Sequence, residues 1–237
     1  MTRRRWIADE VSNDRAALTG AHAAHLSRTL RARVGQEFEV VCGDVVRHAT
    51  VATVNDERVE FELGKEVAAF SAAPITLLLA VFKFDRMEWA IEKCTELNVT
   101  SIVPVIARRT EKHLAQAAEK RVERWRRIAR EASEQARRVT VPEISDPVSL
   151  SSAIEIAAEM KIVLAETERE AQLIDILRER DDWSSLALAI GPEGGWTPDE
   201  LQRFEQAGWT AASLGSTILR AETAAIAALA VARAETG

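Results

Sequence analysis

The chain has 237 residues, 47% of them hydrophobic, enough to bury a core in one large domain or two smaller ones and to exclude disorder as a whole. Its formal charge of −6, from 37 acidic and 31 basic residues, excludes a nucleic-acid binder held by bulk charge. The charge is unevenly spread, however: residues 108–138 carry eleven Lys or Arg against five acids, and residues 1–35 carry seven Arg against three.

Two cysteines, Cys42 and Cys94, stand far apart with no second thiol or histidine at ligand spacing, which indicates neither a disulfide framework nor a metal site. The apolar runs "PITLLLAVF" and "AAIAALAVA" fall far short of the about 20 residues that span a bilayer. The segment "MTRRRWIADE" turns acidic where a signal peptide needs an apolar stretch. The expectation is a soluble, cytoplasmic protein without membrane contact.

Residues 1–70 read as a small antiparallel, barrel-like β domain. "EFEVVCGD", "RHATVATVND" and "RVEFEL" alternate apolar and polar residues between Gly, Asn and Asp turn signals. His25, Arg28, Arg31 and Arg33, in "HAAHLSRTLRARVG", form either an exposed amphipathic helix or a phosphate-contacting surface, and their place beside a small β domain favours RNA. His22, His48 and His113 stand alone.

After the linker "FSAAP", residues 74–237 change rhythm. The buried-strand runs "ITLLLAVF", "SIVPVI", "KIVLAE", "LALAIG" and "TAASLG" alternate with helices, the pattern of an α/β domain with a parallel sheet covered on both faces. In "DRMEWAIEKCTEL", Met87, Ala90, Ile91, Cys94 and Leu97 make one apolar stripe, with Asp85 and Glu88 placed to cap the first turn; Cys94 is thereby a core residue rather than a nucleophile. In "EKRVERWRRIAREASEQARR", Val122, Trp125, Ile128, Ala132 and Ala136 face inward, and the arginines make either a solvated face or an RNA contact that would include Arg138.

Two loops stand out. "IGPEGGWTPDE" follows a buried strand, where open α/β sheets bind ligands, and leads into a helix with Thr197 as N-cap, Pro198 at the first position and Glu200 closing a capping box. Because Thr197 occupies the helix start, a phosphate there is disfavoured; the glycines serve either a close backbone approach to a flat ligand or a tight turn. "LGSTILRAETAAIAAL" again joins a strand end and a glycine to a helix, with Arg220 and Glu222 bracketing its start as an ordinary ion pair or a polar pair held at a site.

These two loops together resemble the paired signatures of RsmE-type methyltransferases. "KFDRMEWAIEKCTELNV", "RWRRIAREASEQARR" with "VPEI", and "HAAHLSRTLRARVG" resemble further family segments in the expected order, so the likeness covers essentially the whole chain. Two positions depart from the pattern: Asn98 stands where glycine is usual and Thr217 where arginine is frequent. The resemblance implies a PUA-like RNA-binding β domain followed by a SPOUT domain, a parallel sheet whose C-terminal segment makes a trefoil knot, assembled as a homodimer.

It also implies a reaction: S-adenosyl-L-methionine-dependent methylation of N3 of one uridine in 16S small-subunit ribosomal RNA, the partner being that RNA or the small ribosomal subunit, with no metal. The alternative is a knotted methyltransferase acting on another RNA atom, such as a ribose 2′-hydroxyl. By resemblance the cofactor site falls on Leu164, Ala165 and Glu166; on Ile190, Gly191, Pro192, Glu193, Gly194 and Gly195; and on Leu214, Gly215, Ile218, Leu219 and Arg220. Uracil N3 carries a proton and a delocalised lone pair, so attack requires deprotonation, and a cation would stabilise the charge that develops on the carbonyl oxygens. Arg220 is the expected cation. Glu222 is expected to hold Arg220 or to take the proton.

Overall fold

The computed structural model describes residues 5–43, 45–67, 73–136, 138, 140–179 and 183–235. The chain divides into two compact units, Met1–Ser71 with Ser133–Val141, and Ala72–Ala132 with Pro142–Gly237. The grouping of Ser133–Val141 with the first unit was not legible in the sequence. Within this unit the His22 ring lies 3.2 Å from Asp9 and 3.6 Å from Glu134, so this histidine does not stand alone.

The first unit is built on β1 (Arg5–Ile7), β2 (Glu10–Ser12), β3 (Arg15–Thr19), α1 (Gly20–Ala24), β4 (Glu37–Cys42), β5 (Val45–Val54) and β6 (Arg58–Val67). Its sheet, ordered β1-β4-β5-β6-β3-β2, is a mixed half-barrel rather than the wholly antiparallel barrel expected. The difference lies in β1, which pairs parallel with β4; the intervening β2, β3 and α1 supply the long crossover that a parallel pair needs. In β6, Val59, Phe61 and Leu63 alternate inward as the pattern requires. In β5, Val46 and Ala49 both point inward although three residues apart, because register shifts at Arg47/Ala49 and Val51/Thr53 reset the alternation.

The second unit carries β7 (Ile75–Ala80), α2 (Phe84–Glu96), β8 (Ser101–Ile106), α3 (Lys112–Ala117), α4 (Val122–Gln135), β9 (Glu143–Ile144), β10 (Val148–Ser149), α5 (Leu150–Ala153), β11 (Met160–Leu164), α6 (Leu173–Arg178), β12 (Leu186–Ile190), α7 (Pro198–Gln206), β13 (Thr210–Ala212) and α8 (Ala221–Ala234), with the end of α4 in the first unit. Every pairing in its sheet is parallel, in the order β10-β8-β7-β12-β11-β13, with β9 also on β8. The chain leaves β7 on one side through β8 and fills the other with β11, β12 and β13. Their C-terminal ends therefore share one edge, beside a topological switch point. All five residues of β12, Leu-Ala-Leu-Ala-Ile, are buried, as a strand covered on both faces demands.

The apolar stripe of α2 is buried at Met87, Ala90, Ile91 and Cys94, and burial pushes the Cys94 thiol up to about 12, which leaves it inert at neutral pH. Its start differs from expectation. Lys83 is the N-cap with no side-chain cap, and Glu88 is drawn off to Arg124 at 2.7 Å. After its last turn Asn98 adopts φ +64°, the left-handed position that usually takes glycine and that asparagine tolerates, which accounts for the departure at this residue. In α4 the inward face is Val122, Trp125, Ala129, Ala132 and Ser133, with Ile128 half-buried, and Arg124 and Arg126 are held by Glu88, Glu123 and Asp146. Among the described residues no helix is long and apolar enough to cross a membrane.

Candidate active site

The edge formed by the C-terminal ends of β11, β12 and β13 opens into a cavity of ≈ 520 Å³, within the usual range for small-molecule sites. Three connections wall it. Leu164, Ala165 and Glu166 follow β11; Ile190, Gly191, Pro192, Glu193 and Gly195 follow β12; Leu214, Gly215, Ile218 and Leu219 follow β13. Gly194 and Arg220, grouped with these residues in the sequence, are not part of the wall.

The glycine loop is shaped mainly by itself. A Cβ on Gly191 would lie 3.3 Å from Gly195 C and from Trp196 N, so a side chain here would push the folded-back loop apart by a few tenths of an ångström. Gly195 has φ +70°, and its amide donates to the Pro192 carbonyl at 2.8 Å to close the turn. Gly194 faces elsewhere: a Cβ there would meet Arg109 Cδ at 3.2 Å, not the cavity.

The helix behind the loop starts as its sequence dictates. Thr197 caps α7, and the buried Glu200 accepts from Thr197 N at 2.8 Å and Thr197 Oγ1 at 2.9 Å, completing the capping box. The other Glu200 oxygen accepts from Arg108 N at 2.7 Å, which ties the connection after β8 to this helix start. Arg109 adds a second tie, its Nη1 donating to Gly194 O at 2.5 Å and Trp196 O at 3.3 Å. Arg109 also lines the cavity, and sequence reasoning missed it. The available signal was its place just past a parallel strand's C-terminal end.

The β13 connection is different. Among the described residues, 214–219 make no backbone–backbone hydrogen bond, and 215–218 are exposed, so their N–H and C=O groups are open to water or to a ligand. Such groups are costly to leave unpaired once water is displaced, and a planar heterocycle with mixed donors and acceptors satisfies them. On the β11 side, Glu168 Oε1 accepts from the backbone N–H groups of Ala171, Glu170 and Arg169 at 3.1, 2.8 and 2.8 Å, which holds its carboxyl below the usual carboxylate range. Glu166 and Glu193 contribute further negative charge to the wall.

Arg220 is the N-cap residue of α8, exposed, between Leu219 and Ala221 of the cavity wall. Glu222 does not hold it. The Glu222 carboxylate is buried, its Oε1 lies 3.6 Å from Arg86 Nη1 of α2, and its Oε2 has no partner among the described residues. Arg86 lies in "KFDRMEWAIEKCTELNV", 136 positions before Glu222, and no local signal in the sequence marks it as the partner of that carboxylate.

The expected RNA contacts lie in the first unit. His25 is exposed, its ring tilted at 5.9 Å from that of Trp6, and Arg28, Arg31 and Arg33 are also exposed. Arg28 is engaged with Asp56 at 2.9 Å, an exposed pair of little energetic weight. Arg138 is 7% exposed, so its guanidinium is not presented on the surface as an RNA contact requires. Among the described residues no group of three His, Cys, Asp or Glu side chains is arranged to hold a metal.

A family model described as an RNA methyltransferase domain matches residues 70–233. The chain belongs to this family. Family members named ribosomal RNA small subunit methyltransferase E are similar along most of its length. That of Synechocystis is 31% identical over 205 residues, covering 81% of this chain and 64% of the relative, so the chain spans just under two-thirds of that protein. That of Bacillus subtilis is 31% identical over 208 residues, covering 79% of this chain and 77% of its own. Among solved structures, the ribosomal RNA small subunit methyltransferase E of Neisseria gonorrhoeae, bound to S-adenosylmethionine, superposes with a TM-score of 0.85 at 31% identity over 97% of this chain and 96% of that one.

The residues present fit that cofactor as a chemical object. The cavity has the volume, the 214–219 backbone has the free donors and acceptors a nucleobase uses, and the carboxylates of Glu166 and Glu193 suit a ligand carrying a sulfonium and an ammonium.

Proposed function

We propose that this methyltransferase family member uses S-adenosylmethionine to methylate N3 of a uridine in 16S small-subunit ribosomal RNA. The observation that carries the reading is the cavity at one edge of the parallel sheet, walled by the unpaired backbone of residues 214–219 and flanked by the exposed Arg220. The relatives' names add the RNA class, and the Neisseria structure adds the cofactor.

When bound, the cofactor supplies a methyl group already activated on a sulfonium. The chain's own residues orient and stabilise. The backbone of 214–219 and the glycine loop would hold the donor in the cavity. Arg220, with no partner in the chain among the described residues, would approach the uracil carbonyl oxygens and stabilise the charge that develops as N3 gives its proton to solvent water at the exposed mouth of the site. Glu222 acts behind this surface, through Arg86 rather than on the base. Because N3 lies on the pairing edge, the nucleotide must enter unpaired or flipped.

Further features complete the proposal. Residues 212–213 hydrogen-bond to Ala165, Ala171 and Leu173, a threading of β13 beside the 165–173 segment that supports a knotted SPOUT topology. A homodimer is part of the same reading, and Trp89 and Ile218, 48% and 78% exposed, are apolar side chains that it would cover. The exposed His25, Arg28, Arg31 and Arg33 support RNA contact by the PUA-like unit, and the activity fits a cytoplasmic protein. The test is nucleoside mass spectrometry of small-subunit RNA incubated with the protein and cofactor. The expected product is 3-methyluridine; a 2′-O-methylated nucleoside, or none, overturns the assignment.

A further inference from the structure

Arg109 stands just beyond the C-terminal end of β8, in a chain stretch that opens the basic zone at residues 108–138. Its Nη1 is committed to the carbonyls of Gly194 and Trp196. Its Nε and Nη2 have no acceptor in the chain among the described residues. The two carbonyls are neutral, and neither Glu166 nor Glu193 pairs with the guanidinium, although all three side chains line the same cavity. A permanently charged fork is thus held in place with its free edge in solvent.

Its position narrows the ligand. Gly191, Pro192, Glu193 and Gly195 form the cavity wall, but Gly194 does not, and the space beyond Gly194 is filled by the Arg109 stem. The side chain therefore crosses the outer side of the glycine loop and reaches the cavity only at its rim, exposed to solvent. An oxyanion arriving from outside meets the free edge of the guanidinium, and a bidentate pair with a phosphodiester satisfies that geometry.

We propose that Arg109 binds a backbone phosphate of the RNA substrate next to the target nucleotide, positioned for this by the glycine loop. The proposal rests on the RNA methyl-transfer reading above. It makes Arg109 a substrate-binding residue whose anchor is the same loop that walls the cofactor cavity.

The test uses the full chain with Arg109→Met and Arg109→Lys. Binding of a small-subunit ribosomal RNA transcript is measured across a salt series, and binding of S-adenosylhomocysteine by calorimetry. For Arg109→Met the RNA dissociation constant is expected to rise about tenfold, and the slope of log K against log salt to weaken by about 0.7 to 0.9, one phosphate's share. The S-adenosylhomocysteine constant should stay within about threefold. Arg109→Lys should retain the salt slope while recovering only part of the affinity, since an ammonium lacks the fork. Unchanged RNA affinity and slope in Arg109→Met overturn the proposal. So does a cofactor constant that worsens as much as the RNA constant, which would put the guanidinium on the cofactor's carboxylate or make it loop support alone. A wild-type protein that binds neither ligand removes the methyl-transfer reading and this proposal together, whereas wild-type binding with an indifferent variant removes only Arg109.

Discussion

Arg86 of α2 and Glu222 of α8 meet at 3.6 Å, and the carboxylate side chain is only 6% exposed against 31% for the arginine. The pair joins the helix that follows the first strand of the sheet to the helix that follows the last loop of the cavity. A buried carboxylate that loses its cation is left uncompensated, and that cost exceeds the worth of the pair itself. Arg86→Ala should therefore destabilise the protein by about 2 kcal/mol, discounted for the partial exposure of the arginine, which lowers the thermal midpoint by about 4–8 °C. Adding Glu222→Gln to Arg86→Ala should restore most of that loss, because the stranded charge is gone. A calorimetric double-mutant cycle in which the double variant is no more stable than Arg86→Ala would show that charge is not the issue.

Gly191 and Gly194 should respond differently to the same added methyl. At Gly191 it presses at 3.3 Å on backbone atoms of Gly195 and Trp196, which can give only by moving the loop; at Gly194 it meets the Arg109 side chain at 3.2 Å, which can shift by itself. Gly191→Ala should weaken cofactor binding by about tenfold or more, roughly 1.4 kcal/mol, and Gly194→Ala by less than about threefold. Calorimetric titration of both variants decides it, and equal losses would mean that the loop is read by the ligand rather than by its own fold.

Arg220 has no partner to lose within the chain among the described residues, so its removal should leave the structure alone. Arg220→Ala should lower turnover by about a hundredfold or more while the S-adenosylmethionine dissociation constant moves less than about threefold, the signature of a group used as charge develops. Single-turnover rates at saturating RNA make the comparison, and a variant with full turnover removes Arg220 from the chemistry.

The parts of this molecule that local patterning controls were legible in the sequence. The all-apolar "LALAI" could only be a strand covered on both faces, and "TPDE" could only be a capped helix start, because both signals are carried by neighbours in the chain. What escaped was set by residues far apart. Glu222 was matched to Arg220, two positions away, but the fold gives it Arg86, and the packing of Arg109 against Gly194, 85 positions apart, left no local signal. The parallel β1–β4 pair escaped for the same reason, since alternation specifies a strand's face and not its partner's direction.

The loop after β11 should make cofactor affinity sensitive to acid. One Glu168 oxygen accepts three backbone N–H groups, those of Ala171, Glu170 and Arg169, and these bonds exist in full only for the carboxylate. Its folded-state pKa is lowered, chiefly by the Ala171 amide, so the unfolded or open loop binds the proton more readily than the closed one. The support is therefore complete above the ordinary glutamate pKa of about 4.3 and is lost as pH falls through that value toward the lowered one. Since Leu164, Ala165 and Glu166 enter the cavity wall from the same connection, the S-adenosylmethionine dissociation constant should be flat above the ordinary glutamate pKa of about 4.3 and should rise below it. Glu168→Gln keeps an acceptor of the same size without the charge; it should bind the cofactor more weakly at neutral pH and lose this acid limb. Calorimetric titrations of both proteins between about pH 3 and pH 7, with circular dichroism to establish that each remains folded, make the test. An acid limb that survives unchanged in Glu168→Gln assigns it to another group and removes Glu168 from the control of the loop.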